Sequence, residues 1–255
     1  MTTDYIRLER SNGIATLFLD RPPVNAIDAA LLHGVAKNVS QVASDGAVNA
    51  LVVTGAGTCF CAGLDLKLVP RYTLAEQRDM LHTLNGAVAR LYSLPIPTVA
   101  AVNGHAIAGG LVVALACDYR VGTTAICQLG LTEARAGIPF PAVPMLIVQA
   151  ELSPAVARRT TLMARNLGSE AALACGILDE LQPPDAVLER ARTVAHDLGA
   201  IPRTAYARIK RQLRGPTIAS IERTLTAGDD PMLQQWLSAE TQAAASALLG
   251  DHHKP

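Results

Sequence analysis

Two rhythms of apolar positions alternate along the first hundred residues. Residues 14–20 (IATLFLD) form a short β-rich run that ends at Arg21, Pro22 and Pro23. Apolar side chains then recur at Ile27, Leu31, Val35, Val39 and Val42, and this spacing of three to four predicts an amphipathic helix over 27–42. Residues 50–54 (ALVVT) are continuously apolar and close on Gly55-Ala56-Gly57, the pattern of a strand buried on both faces of a parallel sheet. A second helix is predicted over 73–92 and is stopped by Pro95 and Pro97. Residues 98–102 (TVAAV) repeat the buried-strand pattern and break at Asn103-Gly104. Strand, loop and helix in this order predict an α/β fold.

The second half changes character. From Ser153 onward the pattern is helical, with one apolar break at 176–181 (GILDEL). Three more helices are expected after His196, punctuated by Pro202, by Gly215-Pro216 and by Asp229-Asp230-Pro231. Leu233, Trp236, Leu237, Thr241, Ala244 and Leu248 make an apolar stripe on the last of them, which either packs on its own domain or joins subunits.

Composition narrows the class. A chain of 255 residues holds one large domain, or a domain with an appendage, and can bury a core without disulfide or metal staples. Lys+Arg and Asp+Glu both number 22, which argues against a nucleic-acid binder or a cationic membrane-surface protein. With 50% apolar and 17% charged residues the chain is not disordered. The longest apolar stretch, residues 106–117, is 12 residues with two glycines, short of the roughly 20 a spanning helix needs. The opening MTTDYIRLER carries charges where a signal peptide needs an apolar stretch. Five cysteines cannot all pair, and Cys59 and Cys61 lack CxxC spacing, so reduced, mostly buried thiols in a cytoplasmic protein are expected.

The candidate chemistry lies after two strands. One loop reads Thr58-Cys59-Phe60-Cys61-Ala62-Gly63-Leu64-Asp65-Leu66; the other reads His105-Ala106-Ile107-Ala108-Gly109-Gly110 and leads into a helical run over 111–117. Gly109 and Gly110 would open that helix, where free N–H groups could stabilise an oxyanion; tight packing explains the same pair of glycines. Phosphate loops (GxxxxGK[ST]), dinucleotide loops (GxGxxG), the GxSxG elbow and the HExxH zinc motif are all absent. Of six scattered histidines only His105 lies near these loops, and it reads as a residue facing solvent or core at the approach to the helix. Asp118 reads as shaping the turn after its helix, and Asp179 and Glu180 as solvated charges.

FCAGLDL (60–66), AVNGHAIAGGLVVALACDYRV (101–121), LGLTEARAGIPF (129–140) and PVNAID (23–28) together resemble the crotonase superfamily, the enoyl-CoA hydratase/isomerase family. The resemblance spans roughly residues 5–200. It implies a crotonase-like spiral of ββα units over 1–198, with a C-terminal helical segment over 199–255. It also implies an acyl-CoA thioester substrate whose carbonyl sits between the N–H groups of Leu64 and Gly109. Ala26, Ala62, Asp65 and Leu66 would lie along the CoA path, beside Gly110 and Val112. No metal and no separate cofactor are expected, coenzyme A being part of the substrate. A homotrimer or a dimer of trimers is expected, with no nucleic-acid or membrane partner.

The acids sharpen this expectation. Hydratases of the family carry two glutamates around the C2–C3 bond; the first position is Val112 here and the second is Glu133. Adding water needs one group to orient the nucleophile and another to exchange a proton, whereas moving a double bond from C3–C4 to C2–C3 needs a single base. The segment from Gly130 to Glu133 (GLTE), followed by Gly137-Ile138, also resembles Δ3,Δ2-enoyl-CoA isomerases. The expected activity is that isomerisation, with Glu133 as the base. A hydratase with a substitute second group, or a non-catalytic acyl-CoA-binding protein, are the alternatives.

Overall fold

The structure, a computed structural model, describes residues 5–228 together with 230, 238, 241, 243, 244 and 247. Strands β1 (Ile6–Ser11) and β2 (Ile14–Leu19) form a hairpin. Its two-residue turn places Asn12 at φ 50° and Gly13 at φ 75°, the positive values that match strand twist in a tight hairpin. Helix α1 (Ala29–Ser44) follows, with Asp28 accepting from the Leu31 N–H at 2.8 Å as its N-cap. Then come β3 (Ala50–Gly55), β4 (Cys59–Cys61) and α2 (Leu74–Ser93), which starts on a capping box of Thr73 and Glu76. The next units are β5 (Thr98–Val102), β6 (His105–Ile107) and α3 (Gly109–Leu115), then β7 (Tyr119–Thr123) and β8 (Leu129–Gly130). Helices α4 (Ala142–Glu151), α5 (Pro154–Thr161) and α6 (Ser169–Ala174) lead to β9 (Glu180–Gln182), α7 (Val187–Gly199) and α8 (Arg203–Ala227).

The strands make two sheets. The larger has the order β1-β2-β3-β5-β7-β9 and is parallel from β2 onward; the smaller, β4-β6-β8, is wholly parallel. From β3 onward, β3, β5 and β7 of the large sheet are each followed by a short strand of the small one, β4, β6 and β8, so the chain advances along both sheets in step and winds a spiral of ββα units. Both faces of the large sheet are covered. Ala50, Val52, Val99, Ala101 and Val121 pack against Val187, Ala191, Val194 and Ala195 of α7, while the alternate residues Leu51, Val53, Ala100 and Val102 join the main core. Two-sided burial is why these strands read as unbroken apolar runs.

The break expected at Gly215-Pro216 does not occur: α8 runs through Pro216. Proline forgoes one helical N–H bond, here to the Gln212 carbonyl. Lys210, Arg214, Ile218 and Ile221 nevertheless form one buried stripe spanning the proline, and that tertiary anchoring keeps the helix intact. Asp118 does more than shape its turn. Its carboxylate accepts from the Thr98 N–H, the Tyr206 hydroxyl and Lys210, and pairs with Arg214 at 3.0 Å. Asp179 and Glu180 are not merely solvated: Asp179 accepts from the Arg120 N–H at 2.8 Å, and Glu180 takes Arg190 through two hydrogen bonds. Of the late apolar stripe, Leu233, Trp236, Leu237 and Leu248 lie outside the described residues. Thr241 is buried and donates to the Gly137 carbonyl at 2.8 Å. Among the described residues no helix is long and apolar enough to cross a membrane.

Candidate active site

The three strands of the small sheet end on one side, and each hands the chain to a loop that matters. Ala62-Gly63-Leu64 follows β4, Ala108-Gly109 follows β6, and Leu131-Thr132-Glu133 follows β8. These loops surround a cavity of about 500 Å³. Parallel pairing of β4 with β6 and of β6 with β8 brings the three loop starts side by side.

Local geometry aims two backbone N–H groups. Ile27 donates to the Gly63 carbonyl at 2.7 Å and accepts from Asp65 N–H at 2.9 Å, forming a parallel bridge with Leu64. Strand alternation then turns the N–H of Leu64 away from Ile27, on a residue that lines the cavity. Gly109 is the first residue of α3, where an N–H has no intrahelical acceptor. The turn into that helix is made at Ala108, at φ 52° and ψ −126°, a conformation glycine adopts far more readily than alanine. A side chain at Gly63 would sit 2.8 Å from the Ile107 carbonyl oxygen and 3.6 Å from the Gly109 nitrogen. Only glycine therefore lets the two loops approach this closely, and Gly63 itself has φ 81°.

Glu133 opens a short 3₁₀ turn, Glu133–Ala136, and reaches the same cavity. It is only 7% exposed, and its Oε2 atom finds no hydrogen-bond partner. Burial disfavours the charged form and pushes its carboxyl up to about 8, with its own backbone N–H the one opposing influence. Val112, one turn into α3, is 1% exposed and presents an apolar wall. Leu84 and Val88 from α2, with Pro141 and Pro144 at the start of α4, extend that wall.

Not every expected residue lines the cavity. Ala62, Leu64, Leu66, Gly109, Val112 and Glu133 do; Ala26, Asp65 and Gly110 are not among the lining residues. Arg21 explains two of these. It donates to the Ala26 carbonyl at 3.1 Å and ion-pairs with Asp65 at 2.8 Å, so both brace the loop carrying Leu64. A Cβ at Gly110 would overlap the Cys61 carbonyl, so this glycine serves the close packing of α3 on β4. His105 is exposed at the cavity rim, its Nδ1 accepting from the Gln128 N–H at 3.1 Å. Asn25, not singled out from sequence, is 1% exposed and donates to the Ala56 and Cys59 carbonyls. This bracing role depends on the chain between Ala56 and Cys59 passing beside it. All five cysteines are free thiols; Cys59, Cys61, Cys117 and Cys127 are buried. No group of three or more metal-ligating side chains is found among the described residues.

The chain is a ββα spiral in which the loops after the small sheet bring Leu64, Gly109 and the buried Glu133 to one cavity. The chain belongs to the enoyl-CoA hydratase/isomerase family, whose model matches residues 9–247. It is 32% identical over 197 residues to a Thermus thermophilus protein described as a candidate enoyl-CoA hydratase, covering 76% of this chain and 77% of that one. It is 29% identical over 220 residues to the carnitinyl-CoA dehydratase of Proteus mirabilis, covering 85% and 83%. A Mycobacterium tuberculosis protein described as an enoyl-CoA isomerase in one solved structure and as an enoyl-CoA hydratase in another superposes, in the first, with a TM-score of 0.81 at 30% identity, over 89% of this chain and 98% of that one. The human mitochondrial Δ3-Δ2-enoyl-CoA isomerase has the same fold, with a TM-score of 0.88 at 24% identity over 97% and 98% of the two chains. The expected superfamily and fold are thereby borne out.

Proposed function

We propose that the protein is a Δ3,Δ2-enoyl-CoA isomerase. The observation that carries this reading is the pairing of one buried carboxyl with an apolar wall: Glu133 is the sole acidic side chain among the described cavity-lining residues, and Val112 occupies the facing helix. In this reading the thioester oxygen of a 3-enoyl-CoA accepts from the Leu64 and Gly109 N–H groups. The Glu133 carboxylate takes a proton from C2. The electrons of the C2–H bond move into a dienolate, whose oxygen carries the charge the two N–H groups stabilise; each such donor is worth about 2.7–4 kcal/mol in comparable sites. Glu133 returns its proton to C4, the double bond settles at C2–C3, and the carboxylate is regenerated. No water, metal or redox partner enters the balance. A carboxyl whose pKa lies near working pH serves both directions of this transfer better than one at its ordinary value.

The hydratase reading draws on the names of several relatives, but it asks for a second group to hold the attacking water, and Val112 supplies none. Parallel time courses with 3-hexenoyl-CoA and 2-hexenoyl-CoA test the proposal. Conversion of the first to the 2-enoyl thioester, with little hydration of the second, is expected. Efficient hydration without isomerisation would install the hydratase reading, and tight binding with neither reaction would mark a non-catalytic acyl-CoA-binding protein.

A further inference from the structure

The cavity is walled by α2, α3 and α4, and the far ends of all three converge on one buried side chain of α8. Arg214 is 7% exposed. Its guanidinium donates to the Tyr92 carbonyl at the end of α2 (3.0 Å), and to the Ala116 and Cys117 carbonyls just past α3 (3.3 and 3.1 Å). It also pairs with Glu151, the last residue of α4, at 3.1 Å, with Asp118 at 3.0 Å, and lies over the Tyr92 ring at 4.0 Å. We propose that Arg214 is a positioning residue for the oxyanion pocket, fixing from the C-terminal end of α3 where its first residue, Gly109, aims its N–H.

Three features support a geometric role. Helix α3 is seven residues long, so a tilt at its C-terminal end displaces its first N–H by a comparable amount. Misplacements well under 1 Å weaken an oxyanion contact, and 1 Å can cost about a hundredfold in rate. The surrounding charges balance: Arg120, Lys210 and Arg214 face Asp118, Glu151 and Asp179, and none of them is among the influences on the Glu133 carboxyl. The planar fork also meets three carbonyls and two carboxylates at once, which an ammonium on a flexible stem does not reproduce. Lys210, by contrast, bonds Asp118 and the Ile96 carbonyl but neither α3 carbonyl, so it belongs to the same cluster without touching the end of α3.

This role rests on the oxyanion pair proposed above, so its test measures enolate binding without turnover. Wild-type protein and the variants Arg214→Lys and Lys210→Met are titrated with acetoacetyl-CoA, whose acidic C2 lets it bind as an enolate with its own near-ultraviolet band. The same proteins are titrated with butyryl-CoA, which stays a neutral thioester. Arg214→Lys is expected to lose about tenfold or more in acetoacetyl-CoA affinity and to weaken the enolate band, with butyryl-CoA held within about twofold. Lys210→Met is expected to keep both affinities within about twofold, even though it too loosens the buried cluster. Should Arg214→Lys not fold, Arg214→Gln is measured against the same criteria. An Arg214 variant that keeps the wild-type preference, or a Lys210→Met protein that loses it equally, overturns the proposal. Wild-type protein that shows no enolate band overturns the oxyanion reading itself, and Arg214's role with it.

Discussion

Replacing Glu133 by glutamine keeps the shape of the side chain and removes its ability to ionise. The wild-type carboxyl lies at about 8 in the folded protein, while in the unfolded chain it returns to about 4.3. A carboxyl raised by folding holds its proton more tightly in the native state. Its stabilising contribution is therefore complete below about pH 4 and is lost as pH rises toward 8. From these two values the wild type gives up about 1 kcal/mol at pH 5 and about 4–5 kcal/mol at pH 8, an order-of-magnitude difference of about 3.5 kcal/mol across that window. Glutamine does not titrate, so Glu133→Gln should gain on the wild type by this amount between the two pH values. At roughly 2–4 °C per kcal/mol for a chain of this size, the Tm gap should widen by about 7–14 °C. Thermal or urea unfolding of both proteins at pH 5, 6, 7 and 8, at one protein concentration, measures it. The amide's own hydrogen-bond demands shift all four points together and leave the slope untouched. A gap that stays flat from pH 5 to 8 means that Glu133 is already ionised in the native protein, and the desolvation argument fails.

The same substitution should lower isomerase turnover by about 10²–10⁴ while leaving thioester affinity within a few fold, and near-normal activity would remove Glu133 from the role of base. For the wild-type enzyme, kcat/KM should rise with pH toward a plateau governed by a group near 8, because only the ionised carboxylate accepts the C2 proton. Val112→Glu places a second carboxyl near the first, where mutual repulsion keeps one protonated; weak 2-enoyl-CoA hydration or reduced isomerisation is expected, with circular dichroism checking the fold. Activity should survive exhaustive chelation and need no added nicotinamide, and loss restored by one divalent ion would contradict the mechanism. The trimer or dimer of trimers that the family resemblance implies would give a multiple of three chains by light scattering, and Ile126, Leu162, Ile209 and Leu213 are large apolar side chains exposed on a single subunit that an assembly could cover; a mass of one chain at micromolar concentration refutes it.

Much of this was legible along the chain because local physics dictated it. Residues 50–54 and 98–102 could only be buried strands, since unbroken apolar runs closed by glycine suit a parallel sheet covered on both faces. The three-to-four spacing from Ile27 to Val42 needed one buried stripe, and α1 buries Leu31, Val35, Val39 and Val42. Gly109 and Gly110 stood out as a pair suited to helix opening or tight packing, and a Cβ at Gly110 would overlap the Cys61 carbonyl. Other features depended on which distant segments meet. The continuity of α8 through Pro216 was decided by anchors that bind Asp118, Glu151 and the helix-end carbonyls, none of them a neighbour in sequence. Asp65 and Gly110 looked like cavity residues because of their motif positions, but Arg21 and the Cys61 carbonyl claim them. Most telling is Glu133: its residue type and spacing were plain in the sequence, whereas its raised pKa comes from burial and an unpartnered oxygen, and desolvation is a property of everything packed around a group. The order of residues determined the elements and the chemical groups available; the tertiary packing decided their solvent, their partners and hence their acidity.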